Sequence, residues 1–224
     1  METMSTFLGL WDQYMFIGSV VCIITGVLIL LYHEYRVLQI KDLKEKYDYV
    51  NQHEIQYFWY AVIAFIAAAA VYANTIMTSK ILNDGMRWFY VRLFITACFG
   101  IIAYIVFFSL VRIYYPRLLE RRLSRLRNTP RTTPEGNIMR KLTESEEDHH
   151  LEGGLIAEGE IHTIDYDVWI DDKTGYTKIE KYPAYQHAEE CTECGYYTLK
   201  IDQEEIEQAP TANEEGVLLT HYEC

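Results

Sequence analysis

Three apolar runs crowd the first 115 residues and decide most of what this chain can fold into. They are "MFIGSVVCIITGVLILLY" (15–32), "YFWYAVIAFIAAAAVYANTIM" (57–77) and "LFITACFGIIAYIVFFSLVRIYY" (93–115). A hydrocarbon core of ~30 Å is crossed by about 20 apolar residues as a helix, and each run has that length. The first two carry no charged residue; the third carries only Arg112, close enough to its end for the long stem to reach the headgroups. Three such runs so close together predict membrane-spanning helices rather than the buried helices of a soluble core.

Charge sets the orientation. "METMSTFLGLWDQY" has no Lys or Arg, so the first run lacks the positive flank of a cleaved signal peptide. The first and third hydrophilic segments after it (33–56 and the stretch following the last run) hold eleven Lys/Arg, against three at 78–92. Basic loops stay inside, so the N-terminus is expected outside and the C-terminal half in the cytoplasm. Ala64 with Ala68, and Ala69 with Ala73, are spaced for close helix approach; alanine's helix propensity explains them equally well. No Asp, Glu, Lys or His lies near the middle of a run, which argues against a pump or carrier acting alone. Cys22 and Cys98 read as small apolar packing residues.

After the third run, residues 116–137 form a junction. "PRLLERRLSRLR" reads as a helix starting at Pro116. It has Leu119, Leu123 and Leu126 on one face, and Arg117, Arg121, Arg122 and Arg125 are set to bind anionic lipid. Arginine-rich stretches also track nucleic-acid phosphates, but directly after a membrane span the bilayer is the nearer partner, so no nucleic acid is expected. "NTPRTTPEGN" reads as an exposed linker.

Composition then changes sharply. Residues 138–224 carry 6 Lys/Arg against 22 Asp/Glu, whereas the whole chain has a net charge of −12. Thr143 followed by Glu146 spells a capping box. Two β-prone stretches, 168–170 and 176–182, flank "DDKTG" and predict a hairpin. "AEECTECGYYTLK" brings Cys191 and Cys194 together with two residues between them and a glycine behind. Strands at "YYTLKI" and "VLLTHYEC", joined by "APTANEEG", complete the layout of a zinc ribbon, with Cys224 in the last stretch.

Structural zinc takes four ligands. Cys191, Cys194 and Cys224 supply three; His221, three residues before Cys224 in an H-x-x-C spacing, completes a Cys3His set. His187 is a weaker candidate. Alternatively Cys224 opens a second C-x-x-C knuckle, and the fourth ligand follows it. A lasting disulfide is disfavoured in the cytoplasm.

"MRKLTESEEDHHLEGGLIAEGEIHTIDYDVW" followed by "CTECG" resembles the tail of some bacterial membrane proteins that carry a TPM domain. Those tails have a Glu-rich stretch, a Tyr-Asp-Val-Trp run (here Tyr166 to Trp169) and zinc-ribbon cysteines. The resemblance covers residues 139–224; the TPM domain is missing, so no activity carries over. It implies a cytosolic zinc ribbon on a protein of the bacterial inner membrane. "CTECGY" also resembles the first knuckle of rubredoxin, and 29 residues separate Cys194 from Cys224. The aromatic and Asp-Gly pattern between rubredoxin knuckles is absent, which ranks iron below zinc.

The expected fold is an α-helical membrane protein of three transmembrane helices with a small cytoplasmic β-rich, zinc-ribbon-like domain. There is no G-x-S-x-G, P-loop, H-E-x-x-H or G-x-G-x-x-G motif. The expected function is therefore that of a non-enzymatic accessory or scaffold subunit, working beside other membrane subunits. A membrane-anchored electron carrier with iron at the thiolates, or one part of a multi-subunit transporter or secretion complex, are the alternatives.

Overall fold

In the computed structural model, residues 2–184, 188–208 and 216–224 are described. The chain divides into two compact units, Met1–Thr129 and Pro130–Cys224.

The first unit is helical: α1 (Glu2–Gln39), α2 (Leu43–Ala73), α3 (Thr78–Asp84) and α4 (Arg87–Asn128). Three helical stretches, Thr3–Gln39, Leu43–Asp84 and Arg87–Asn128, are long and apolar enough to cross a membrane. At ~1.5 Å per residue, the 42 residues of α4 run about 63 Å, twice a hydrocarbon core. Their apolar side chains point outward: Phe94, Phe99 and Ile101 are each more than half exposed. In water a surface of that kind is unstable; against lipid it needs no cover.

The helices outrun the apolar stretches of the sequence. Only residues 40–42 separate α1 from α2, and Asp42 caps the second helix by accepting from the amides of Lys44 (2.8 Å) and Glu45 (3.0 Å). The basic segment 116–127 is likewise not a separate helix starting at Pro116, because Pro116 lies inside α4. Leu119 and Leu123 are buried against Val37 of α1 and Val50 of α2, with Tyr47, Tyr49, Tyr115 and Leu126 around them. Packing on two neighbours carries the helix past a proline that would otherwise break it. Arg122 is drawn in as well: it forms a fork on Glu34 (2.8 and 3.0 Å) and lies 2.7 Å from Glu54, which also accepts from Tyr115 Oη at 3.0 Å. Arg117, Arg121 and Arg125 stay exposed.

The second unit begins where an exposed linker was expected. Arg131 and Thr133 are buried, and residues 131–139 fold back on themselves through Met139 N–H to Arg131 O (2.8 Å) and Thr133 N–H to Asn137 O (2.8 Å). Then come β1 (Arg140–Lys141), α5 (Glu144–Glu147), α6 (Gly153–Glu160), β2 (Ile164–Ile170), β3 (Thr177–Pro183), β4 (Lys200–Gln208) and β5 (Val217–Glu223). An antiparallel sheet has the order β1-β2-β3, and β4 pairs with β5 in a separate two-stranded ribbon. The expected hairpin is the β2–β3 pair, with Val168 opposite Ile179. Its turn is knotted by Asp171, whose carboxylate accepts from Thr174 Oγ1 (2.7 Å), Lys173 N (3.0 Å) and Asn137 Nδ2 (3.0 Å). The capping residue Thr143 donates its amide to Glu146 (3.0 Å), but the helix it starts has only four residues.

Trp169, Tyr182, Val168, Met139 and Leu142 are the buried apolar side chains around the three-stranded sheet, with Trp169 and Tyr182 on one face and Val168 on the other. Strand β3 turns its polar residues inward: Glu180 and Tyr182 are buried, while Ile179 is exposed. The loop "APTANEEG" falls on residues 209–216 and, apart from Gly216, lies outside the described residues, as does His187.

Candidate metal centre

The knuckle starts from a short bridge between Glu189 and Leu199, closed by N–H···O bonds of 2.9 and 3.1 Å. Inside it the chain reverses: Gly195 N–H donates to Cys191 O, and Cys191 N–H to Tyr196 O, each at 2.8 Å. Gly195 has φ +77°, a left-handed conformation that a side chain would strain. The turn aims the amides of Cys194 and Glu193 at the sulfur of Cys191, and these hydrogen bonds draw its pKa below the ordinary thiol value. A thiolate held by backbone amides is the form a metal binds.

Cys224, the residue just past the end of β5, completes the group. Cys194 Sγ and Cys224 Sγ are 3.6 Å apart, and the sulfurs of Cys191, Cys194 and Cys224 all lie within 4.8 Å of one another. An ion bound tetrahedrally at ~2.3 Å needs sulfurs about 3.8 Å apart, so the spacing suits a metal. All three cysteines are free thiols; Cys191 is buried, the other two exposed. Thr198 Oγ1 sits 3.0 Å from Cys224 Sγ and 3.7 Å from Cys194 Sγ, placed to steady the sulfurs from the side. Its hydroxyl pulls Cys224 down, but the neighbouring sulfurs of Cys191 and Cys194 outweigh it and leave that thiol above its ordinary value.

His221 does not join them. It lies within β5, opposite Gln203. In a strand, residues three apart point to opposite faces, so the H-x-x-C spacing that works in a turn separates His221 from Cys224. Cys22 and Cys98 lie in α1 and α4, outside the sulfur group.

Two residues that the sequence reading passed over hold the knuckle in place. Glu158 of α6 is buried and accepts from the amide of Tyr197 at 2.6 Å and from the hydroxyl of Tyr166. Thr163 Oγ1 donates to Tyr197 O at 2.8 Å. Tyr196 packs over Gly154, where a Cβ would lie 2.1 Å from its ring. A buried glutamate in a chain this acidic has no distinguishing mark in the sequence; the double glycine opening α6 was the available signal for a close contact.

A scan against protein-family models, a search of curated proteins and a search of solved structures each return no match.

Proposed function

We propose that the chain is a non-enzymatic accessory subunit of a membrane, whose zinc-stapled C-terminal ribbon is its docking arm for another protein. The observation that carries this reading is the position of the three sulfurs at the base of the β4–β5 ribbon. Nearly every residue of that ribbon is exposed, and a two-stranded hairpin alone is marginal in water. A metal joining Cys224 to the knuckle would hold the ribbon open to a partner, with Ile201, Ile206, Leu218 and Tyr222 outward. Zinc is the ion assigned, because three thiolates with backbone support form the donor set of structural zinc sites.

The three long apolar helices support placement in a membrane, and the surplus of Lys/Arg at the end of the bundle near Arg117, Arg121 and Arg125 supports an inward-facing C-terminus. The likeness to TPM-protein tails favours a bacterial inner membrane.

Purification of the intact protein from native membranes, as wild type and as Cys191→Ser, tests the reading. Proteins that co-purify with the wild type should be lost with the variant, and the wild type should carry about one zinc per chain. An unchanged set of partners would refute the docking role. Iron in place of zinc would move the assignment to an electron carrier.

A further inference from the structure

At the opposite end of the helical unit from Arg122, α2 and α4 part around an apolar groove of about 680 Å³, within the ~300–1,000 Å³ typical of small-ligand sites. Ala69, Ala73 and Phe99 are among its walls, and Arg92 lies at its end. A small pocket of about 40 Å³ continues from it. The two cavities share Met77, Arg92 and Ile95, and the small one adds Lys80 and Trp88. An apolar slot thus runs into a recess with two cations.

Arg92 is only 6 % exposed. Its Nη1 is engaged, donating to Ile76 O at 3.0 Å and to Thr78 Oγ1 at 3.2 Å, and it lies 3.6 Å from Asp12 Oδ1. Its Nε and Nη2 are buried with no hydrogen-bond partner, while the guanidinium carbon lies 5.4 Å from the centre of the Phe89 ring. Those two nitrogens form the side-on edge of the guanidinium, the fork that takes two oxygens of one phosphate or carboxylate. Two unmet donors in an apolar setting are costly. Lys80 rests over the Trp88 ring, 4.2 Å from its centre, a cation–π contact between two half-buried side chains in which the ammonium keeps its hydrogen-bond donors for a ligand. Asp12 sets one negative charge against these two positive ones, leaving room for one anion.

We propose that this is a site for an anionic phospholipid, with its phosphate between Lys80 and the Nε/Nη2 edge of Arg92 and one acyl chain along the α2–α4 groove. Met77 is the gate: it is 53 % exposed, unbranched, and shared by both cavities, so its side chain can swing aside to uncover the fork. Charge complementarity selects the headgroup, and the apolar walls select a chain over a free ion.

The test uses the full-length protein in neutral detergent, with lipid binding read by native mass spectrometry. Dioleoyl-phosphatidylglycerol should bind about tenfold more tightly than dioleoyl-phosphatidylcholine, whose chains are the same. Lys80→Gln should erase that preference. Arg92→Gln should do so too, but Arg92 also holds the α2–α3 turn, so Lys80→Gln decides if that variant fails to fold. Ala69→Phe should weaken both lipids and keep the preference, because it fills the groove without touching charge. Equal affinity for the two lipids in the wild type would overturn the site, and so would a preference that survives Lys80→Gln. Inorganic phosphate displacing phosphatidylglycerol at matching concentration would show a plain anion site and refute the lipid.

Discussion

Arg131 and Glu180 meet inside the C-terminal unit in a two-pronged ion pair, Nη2 to Oε2 at 2.8 Å and Nε to Oε1 at 3.0 Å, with both side chains almost fully shielded from water. Tyr182 closes the triangle, accepting from Arg131 at 3.0 Å and donating to Glu180 at 2.7 Å, and the guanidinium carbon lies 4.7 Å from the centre of the Trp169 ring. Lys178 adds a contact of 2.9 Å to Oε1. Removing one partner of such a pair strands a buried charge, at a cost of about 3–5 kcal/mol. Arg131→Met should therefore make residues 130–184 far more sensitive to protease in the intact protein. The double variant Arg131→Met with Glu180→Leu should recover much of the resistance, since an apolar replacement of both partners is often nearly neutral. Equal sensitivity in the two would mean that the pair does not anchor this core.

Acid probes the same contact. Burial pushes Glu180 up, but the hydrogen bonds from Arg131, Lys178 and Tyr182 outweigh it and hold its pKa below the ordinary carboxylate value. Asp171 moves the same way, first through Thr174's hydroxyl and then through the Lys173 amide. A carboxyl whose folded pKa is depressed contributes stability above its unfolded pKa, ~4.3 for Glu, and loses it as the pH falls through the folded value. The unfolded chain takes up the proton first, so acid favours unfolding. Protease resistance of the C-terminal unit should hold at neutral pH and fall away below about pH 4.3. Glu180→Gln should be weaker at neutral pH and show a shallower acid loss. An identical acid profile would remove Glu180 from the account.

Arg122 differs from the arginines beside it. It is bound to Glu34 and Glu54, whereas Arg121 and Arg125 face outward. Arg122→Gln should lower the thermal midpoint of the detergent-solubilised protein, because Glu54 is buried and loses its counter-charge. Arg121→Gln should leave the midpoint close to that of the wild type, since exposed substitutions usually change stability by no more than about 0.5 kcal/mol. It should instead reduce association with anionic vesicles. The reverse assignment would return Arg122 to the lipid surface.

How far the sequence spoke depends on how local each cause was. The three helices were visible as apolar runs, because an uninterrupted run of that length is a local property. Their true ends were not, because α4 continues past Pro116 on the strength of Leu119 and Leu123 packing against Val37 and Val50. The β2–β3 hairpin was legible from "DDKTG", with Gly175 at φ +72°. The inward turn of Glu180 was hidden, since its partner Arg131 lies 49 residues earlier in what reads as a linker. The sulfur group was legible because two of its members share one turn.

His221 stands apart from that group, on β5 opposite Gln203. Small metal-stapled segments draw on the order of 10 kcal/mol of folding energy from the ion, and the β4–β5 ribbon has no core of its own. Cys191→Ser should therefore release zinc and leave residues 188–224 open to protease, while α1, α2 and α4 stay folded as a separate unit. Cys22→Ser should do neither, because Cys22 lies in α1, away from the sulfurs. His221→Ala is the discriminating variant. With His221 on β5 opposite Gln203 and outside the sulfur group, zinc content should match the wild type and protease resistance should be kept. Loss of zinc on His221→Ala, to the level of Cys191→Ser, would mean that the end of β5 unwinds on metal binding and brings the imidazole round to Cys224. Retention would leave three thiolates as the protein's own ligands, with the fourth position filled from outside the β5 strand.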